Sequence, residues 1–446
     1  MKSLFKTLFI SAGLLTAHHA AAAEDWAVKA QSTQEAVLLG GGVVGALYAP
    51  QIRSPNNRTA VLVMHAEGDY TQFSSGVELA KRGFTVLNAN NAASKYTGND
   101  LDFERMMGDI AKAVQYLKNR SDIDNVVLLG HSGGGAMFSA YQNIAENGVD
   151  ICQSAVKIAP CSDKLADLPK ADGLVLLDAN YGMSTMYLLS LDPAIVNEHN
   201  AQQRNPSVDL YLPENGMGES GANYSQAFKQ RYFTALAKRN HAIIAHAQQR
   251  KALIDKGEGD FAGDEALIIP AANYLGMNNK LFAQDPSLLA HTQQAWKLLH
   301  QDGSVSTQIV PTTRSAKNLS NKGNQYDMAL RTTVQRFLPM YAVRLNGDFA
   351  ITATGLQGVD WESSHTTPVG NVRHISVPLL TIGLTGNWEY LNAEQIYLNA
   401  KSQDKDIVFV EGASHVVTPI DTKYGDTVKL TYDYMADWLG KAGRFR

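Results

Sequence analysis

The stretch Val126-Val127-Leu128-Leu129-Gly130-His131-Ser132-Gly133-Gly134-Gly135 decides how this chain is read. Four apolar residues in a row, two of them β-branched, read as a strand buried on both faces. Gly130 to Gly134 then fits G-x-S-x-G, and Gly135–Ile144 reads as a helix stopped near Gly148. A serine on so sharp a strand-to-helix turn sits in a strained backbone, and small neighbours are needed for strand and helix to approach. Gly130 and Gly134 supply that room. The helix beyond Ser132 aims its first N–H groups at an oxygen held beside the serine. A plain glycine-rich connection would explain the turn, but not a serine framed by glycines. Ser132 is therefore the candidate nucleophile.

Upstream of this stretch, Glu35–Leu39 and Val43–Tyr48 read as a β-hairpin, Ala60–Met64 and Gly83–Leu87 as strands, and Gly76–Lys81 as a helix between them. Phe103, Met106, Met107, Ile110, Val114 and Leu117 recur at helical spacing. Gly173–Leu177 is the next strand. The rhythm then breaks. Phe228, Tyr232, Leu236 and Ile243 predict a long helix. Asp285-Pro286 predicts the start of another, carrying Leu288, Leu289, Thr292, Trp296 and Leu299. Tyr326–Leu338 is expected to be helical, and Tyr341–Leu345 to pair with Asp348–Thr354. Strand and helix alternate again over Pro378–Leu384, Ala393–Lys401 and Ile407–Val410, with a last helix marked by Val428, Tyr432, Met435 and Leu439. Alternation of this kind means an α/β fold, a mostly parallel sheet covered on both faces by helices. Residues 24–180 and 371–446 form its core, and residues 181–370 a mainly helical insertion.

The strand, elbow and helix around Ser132, set within that rhythm, resemble the α/β-hydrolase superfamily over Glu35–Asn180 and Asn371–Arg446. The resemblance implies an esterase- or lipase-like serine hydrolase whose inserted segment is a cap. It implies a base in the loop after the last strand, where Glu411-Gly412-Ala413-Ser414-His415 follows Ile407–Val410, so His415 is that base. The oxyanion donors would be the Gly133 N–H and one from His65-Ala66-Glu67-Gly68 after the Ala60–Met64 strand, either Ala66 or Glu67. The acid that orients His415 stays open. Counting along Leu384-Thr385-Gly386-Asn387-Trp388-Glu389 lands on Asn387 or Glu389, while some members place the acid at the end of the strand after the nucleophile helix, here Asp178.

Composition is that of a globular protein. The chain has 446 residues, 45% hydrophobic and 18% charged, with a formal net charge of -4 and no basic run that would mark a nucleic-acid surface. Lys2 and Lys6, the apolar Leu8–Ala17 and an Ala21-x-Ala23 site predict an export signal over residues 1–23, cleaved near Ala23, and hence a periplasmic or secreted protein. The apolar stretch is well short of the roughly 20 residues that span a bilayer. Cys152 and Cys161 are the only cysteines, and in an exported protein they are expected to form a disulfide if the chain between them turns back.

Other patterns carry less. Gly40, Gly42 and Gly45 spell G-x-G-x-x-G, but Pro50 and Pro55 follow where a dinucleotide site needs a helix. His241 and His246 lie five apart, off the i, i+4 spacing of paired zinc ligands. No cofactor and no metal is expected. Trp296 and Tyr341 read as core. The function expected is acyl transfer on a small-molecule carboxylic ester. An amidase or peptidase of the same fold, or a non-catalytic binding protein built on it, are the alternatives.

Overall fold

The computed structural model describes residues 32–50, 58–94, 101–219, 221–272, 281–315 and 329–445. The expected export signal lies outside the described residues. Among them, no helix is long and apolar enough to cross a membrane.

Ten strands form the central sheet: β1 Ser32–Gly40, β2 Val43–Pro50, β3 Thr59–Val63, β4 Thr85–Asn90, β5 Asn125–His131, β6 Gly173–Leu177, β7 His291–Leu299, β8 Val305–Pro311, β9 Leu379–Leu384 and β10 Lys405–Val410. Their order is β1-β2-β4-β3-β5-β6-β9-β10-β7-β8. The pairs from β4 through β10 are parallel, and the two edges are antiparallel hairpins. The helices of the core are α1 Ser75–Lys81, α2 Phe103–Lys118 and α3 Gly133–Asn147. Residues 181–370 contribute α4 Met183–Ser190, α5 Gln226–Asp255 and α6 Val334–Tyr341. Then come α7 Tyr390–Asn399 and α8 Thr427–Leu439.

Alternation of side chains across the sheet builds two cores. Val61, Val63, Val127, Leu129, Val175, Leu177, Leu380 and Ile382 face α1 and α8, where Leu79, Tyr432, Met435 and Trp438 meet them. Ala60, Leu62, Val126, Leu128, Leu174, Leu176 and Leu379 face the other way, towards Met107, Ile110 and Val114 of α2 and Phe138, Tyr141 and Ile144 of α3. Strands apolar on both faces are what a doubly covered parallel sheet requires. The Gly40-Gly41-Gly42 run, at φ 83°, 63° and 89°, makes the β1–β2 turn, and no helix follows it.

The inserted segment departs from expectation in three places. Residues 291–299 are strand β7, not a helix. Thr292, Trp296 and Leu299 mimic helical spacing, but the Asp302-Gly303 turn, with Gly303 at φ 81°, folds β7 back onto the β-branched run of β8. Leu298 and Leu299 then add to the main sheet beside Phe409 and Val410 of β10. Ala329–Thr333, expected as helix, is a strand paired with Ala266–Pro270, and helix α6 starts only at Val334. The expected hairpin is displaced to Arg344–Ile351 and Leu356–Asp360, because Gly355 at φ 148° places the turn later.

Cys152 and Cys161 are joined as a disulfide, with their Cα atoms 5.5 Å apart. The chain between them bends back, and Cys161 N–H donates to the Cys152 carbonyl (3.2 Å).

Candidate active site

Ser132 stands between β5 and α3 with φ 54° and ψ −125°, a conformation a β-carbon disfavours and only tight packing maintains. The glycines around it explain how. A Cβ on Gly130 would lie 2.6 Å from the Gly135 Cα, and one on Gly134 would lie 2.2 Å from the Met64 carbonyl oxygen. Larger residues would push the helix off the strand. The turn is pinned by Ser132 N–H donating to the Leu177 carbonyl (3.3 Å) and by Asn180 N–H donating to the Ser132 carbonyl (3.2 Å). A strained serine elbow after the central parallel strand, with a histidine in the loop after the last core strand, settles the architecture.

The chain has the α/β-hydrolase fold.

No family model matches the sequence, and no curated protein matches it. Solved structures similar in shape include hypothetical protein PA2218 from Pseudomonas aeruginosa, 14% identical over 92% of this chain and 93% of that one, TM-score 0.39. The siderophore hydrolase EstB from Aspergillus fumigatus is 12% identical over 91% and 98%, TM-score 0.39. A soluble variant of monoglyceride lipase from Saccharomyces cerevisiae is 12% identical over 92% and 95%, TM-score 0.38. Likenesses this loose add no weight; the fold reading rests on strand order and the elbow.

In this α/β-hydrolase sheet, His415 lies in the loop after β10, with a third of its side chain exposed. Both acids left open by the sequence reach it. His415 Nδ1 donates to Asp178 Oδ2 at 2.7 Å, and Glu389 Oε2 lies 3.2 Å from the same nitrogen. Asp178 is fully buried at the end of β6, with φ 43°, and its Oδ1 accepts the Leu384 N–H (3.0 Å). Asn387, the other count from the sequence, is no acid but a bridge: its Nδ2 donates to Asp178 Oδ2 (2.8 Å) and to Glu389 Oε2 (3.3 Å). Burial lowers the His415 pKa, but the Glu389 charge and the Asp178 hydrogen bond and charge outweigh it and raise it to about 9. Asp178, Glu389 and His415 offer ligand atoms within 4.8 Å of one another, a spacing a metal could use. The amide hydrogens of Asn387 already point at both carboxylates, so the cluster is built for hydrogen bonding.

With Nδ1 committed to Asp178, Nε2 is the nitrogen left to meet a serine hydroxyl. Ser132 Oγ makes no hydrogen bond among the described residues.

Three further residues were not singled out by sequence reasoning. His131, inside the G-x-S-x-G motif, accepts from the Tyr70 hydroxyl at Nδ1 (2.5 Å) and donates from Nε2 to the His415 carbonyl (2.5 Å). Its ring packs 4.5 Å from that of His415. Burial, and then the nearby His415 charge, hold the His131 pKa far below the ordinary range, so it stays neutral and fixes one tautomer. Phe73 stacks on its other side at 4.8 Å. The position of His131 within the motif was the available signal; its partner Tyr70 had none.

The loop after β3 lies against the elbow. A Cβ on Gly133 would sit 3.3 Å from Ala66 Cβ and 3.3 Å from His65 Nε2. His65 Nδ1 accepts the N–H groups of Glu67 (3.1 Å) and Gly68 (2.8 Å). The Glu67 N–H is therefore spent within its own loop, and of the two expected donors Ala66 is the one left. Burial pushes the Glu67 carboxyl up to about 8. From the inserted segment, Met183 Sδ lies 3.5 Å from the position a Gly133 Cβ would take, so α4 begins at the rim of the site.

Proposed function

We propose that the protein is a serine hydrolase that cleaves a carboxylic ester by acyl transfer. Ser132 is the nucleophile, His415 the base and Asp178 the acid. Ser132 attacks the carbonyl carbon, and its proton passes to His415 Nε2. The C–O bond of the tetrahedral intermediate then breaks, and His415 returns the proton to the leaving alcohol. Water repeats the cycle to free the acid and regenerate Ser132. The Gly133 and Ala66 N–H groups hold the oxyanion.

The observation that carries this reading is the 2.7 Å hydrogen bond from His415 Nδ1 to the buried Asp178. It fixes the tautomer and stabilises the imidazolium formed in each half-reaction. Asp178 is favoured over Glu389 because its contact is shorter, its burial complete and its second oxygen already anchored by Leu384 N–H. Glu389 acts as a positioning residue that raises the basicity of His415. Residues 181–370 serve as the cap, with α4 at its hinge beside Gly133. Loss of residues 1–23 on export accords with the disulfide, which persists in an oxidising compartment.

Steady-state hydrolysis of p-nitrophenyl acetate, butyrate and octanoate by the mature protein tests the reading. Turnover of at least one ester, abolished in Ser132→Ala, is the expected result. Equal turnover in the variant, or cleavage of anilides with no cleavage of esters, contradicts it.

A further inference from the structure

Within the inserted segment a guanidinium is buried without the partners it needs. Arg314 follows β8, where Thr313 N–H donates to the Thr385 carbonyl (2.9 Å), two residues before Asn387. Its side chain is buried, and its Nη2 donates to the carbonyls of Leu288 and Leu289. Nε and Nη1 have no hydrogen-bond partner among the described residues. Of the five N–H donors of a guanidinium, the one on Nε and the two on Nη1 are therefore unused. The nearest obvious counter-charge is engaged elsewhere: Asp285 pairs with Lys229 (2.8 Å) and accepts from Ser287. A buried cation lacking partners is among the costliest arrangements a fold can keep, and its presence calls for an explanation.

The surroundings supply one. Arg314 Cζ lies 5.9 Å from the Phe282 ring centre. Phe282 packs on Trp388 (4.5 Å between ring centres), and Trp388 stacks on Tyr181 (5.9 Å). All three rings are buried, and the Tyr181 hydroxyl also lacks a partner. Burial, only partly offset by groups that include the charged Asp285, brings the Arg314 pKa down to about 10, so it stays a cation at neutral pH. Burial keeps the Tyr181 phenol protonated and thus a donor. Two members of this group are chain neighbours of residues at the reaction centre. Trp388 follows Asn387, which bridges Asp178 and Glu389, and Tyr181 follows Asn180, whose N–H holds the Ser132 carbonyl.

We propose that Arg314 and the Tyr181 hydroxyl form a carboxylate-binding subsite, so that the preferred substrate is an ester bearing a carboxylate at the far end of one of its chains. This rests on the serine-hydrolase reading above and names its substrate class. A monoanion fits better than a phosphate dianion, because Glu389 and Glu394 already place negative charge near Tyr181, and Asp285 near Arg314. The aromatic walls suit the apolar chain that links carboxylate to ester.

The test compares p-nitrophenyl hydrogen adipate and suberate with p-nitrophenyl hexanoate and octanoate. The wild-type protein should favour the acid-bearing ester of at least one pair tenfold or more in kcat/KM. Arg314→Met should lower that ratio at least tenfold, chiefly through KM, and Tyr181→Phe a few-fold. A wild-type ratio at or below one in both pairs, or a ratio unchanged in both variants, overturns the subsite. Tyr181→Phe removes only a hydroxyl and decides the matter if Arg314→Met does not fold. If the wild type cleaves no ester, the hydrolase reading fails separately, and calorimetry with monomethyl adipate on Ser132→Ala decides the subsite. Binding weakened by adding Tyr181→Phe supports it, and absence of binding overturns it.

Discussion

The reaction centre at the parallel strands and residues 181–370, expected from the sequence as an insertion, differ in how their buried polar groups are partnered. In the core, a chain of hydrogen bonds runs through the reaction centre: Tyr70 to His131, His131 to the His415 backbone, His415 to Asp178, and Leu384 N–H to Asp178. In the inserted segment, Arg314, Tyr181 and Tyr187 are buried with donors unused. A matched network holds atoms at fixed places, which catalysis by positioning demands. Buried donors without partners call for an explanation, and the proposed carboxylate supplies one for Arg314 and Tyr181. On the two proposals above, chemistry belongs to the core and selectivity to residues 181–370.

Five variants can break or sharpen that division. Ser132→Ala has the largest effect, a loss on the order of 10⁶ in kcat if it resembles other serine hydrolases, with the melting temperature retained. Asp178→Asn follows, at on the order of 10⁴ in kcat, because the amide can no longer hold the correct tautomer. Asp178→Asn should leave the preference between acid-bearing and neutral esters in place, whereas Tyr181→Phe should change that preference; a reversed pattern would erase the division.

Glu389→Gln comes third, and its signature is in pH. The base must be neutral, and the His415 pKa is raised to about 9, so wild-type kcat/KM should climb with pH and reach half its plateau near pH 9. Removing the Glu389 charge removes a cause of that elevation, so the rise should move to lower pH. A pH–rate profile of the variant superimposed on the wild type would show that Glu389 does not act on His415. The smallest effect on activity should come from Cys152→Ser with Cys161→Ser. Losing this short loop closure should cost roughly 2–3 kcal/mol in urea denaturation while kcat stays within twofold.

The same division governs what the sequence disclosed. Core strands such as Asn125–His131 and Gly173–Leu177 are apolar on both faces, and Gly and Asp punctuate them, so their limits are legible. The serine elbow is legible because its glycines, set at fixed spacing around Ser132, lie together in one short stretch of sequence. In the insertion, β7 is only partly buried, so three apolar positions at helical spacing outweighed the Asp302-Gly303 turn that marks a hairpin. The choice between Asp178 and Glu389 could not be read along the chain, since both reach one nitrogen from different loops. The link from Tyr70 through His131 to His415 joins three separate segments and has no sequence period at all.

The central claim is that Ser132 is an activated nucleophile, and covalent labelling tests it most directly. A fluorophosphonate probe on the full mature protein, read by intact mass and peptide mapping, should add one adduct, on Ser132, at a rate that falls at least a hundredfold in His415→Ala. No adduct on the folded protein, or an adduct mapped to another residue, would contradict the account.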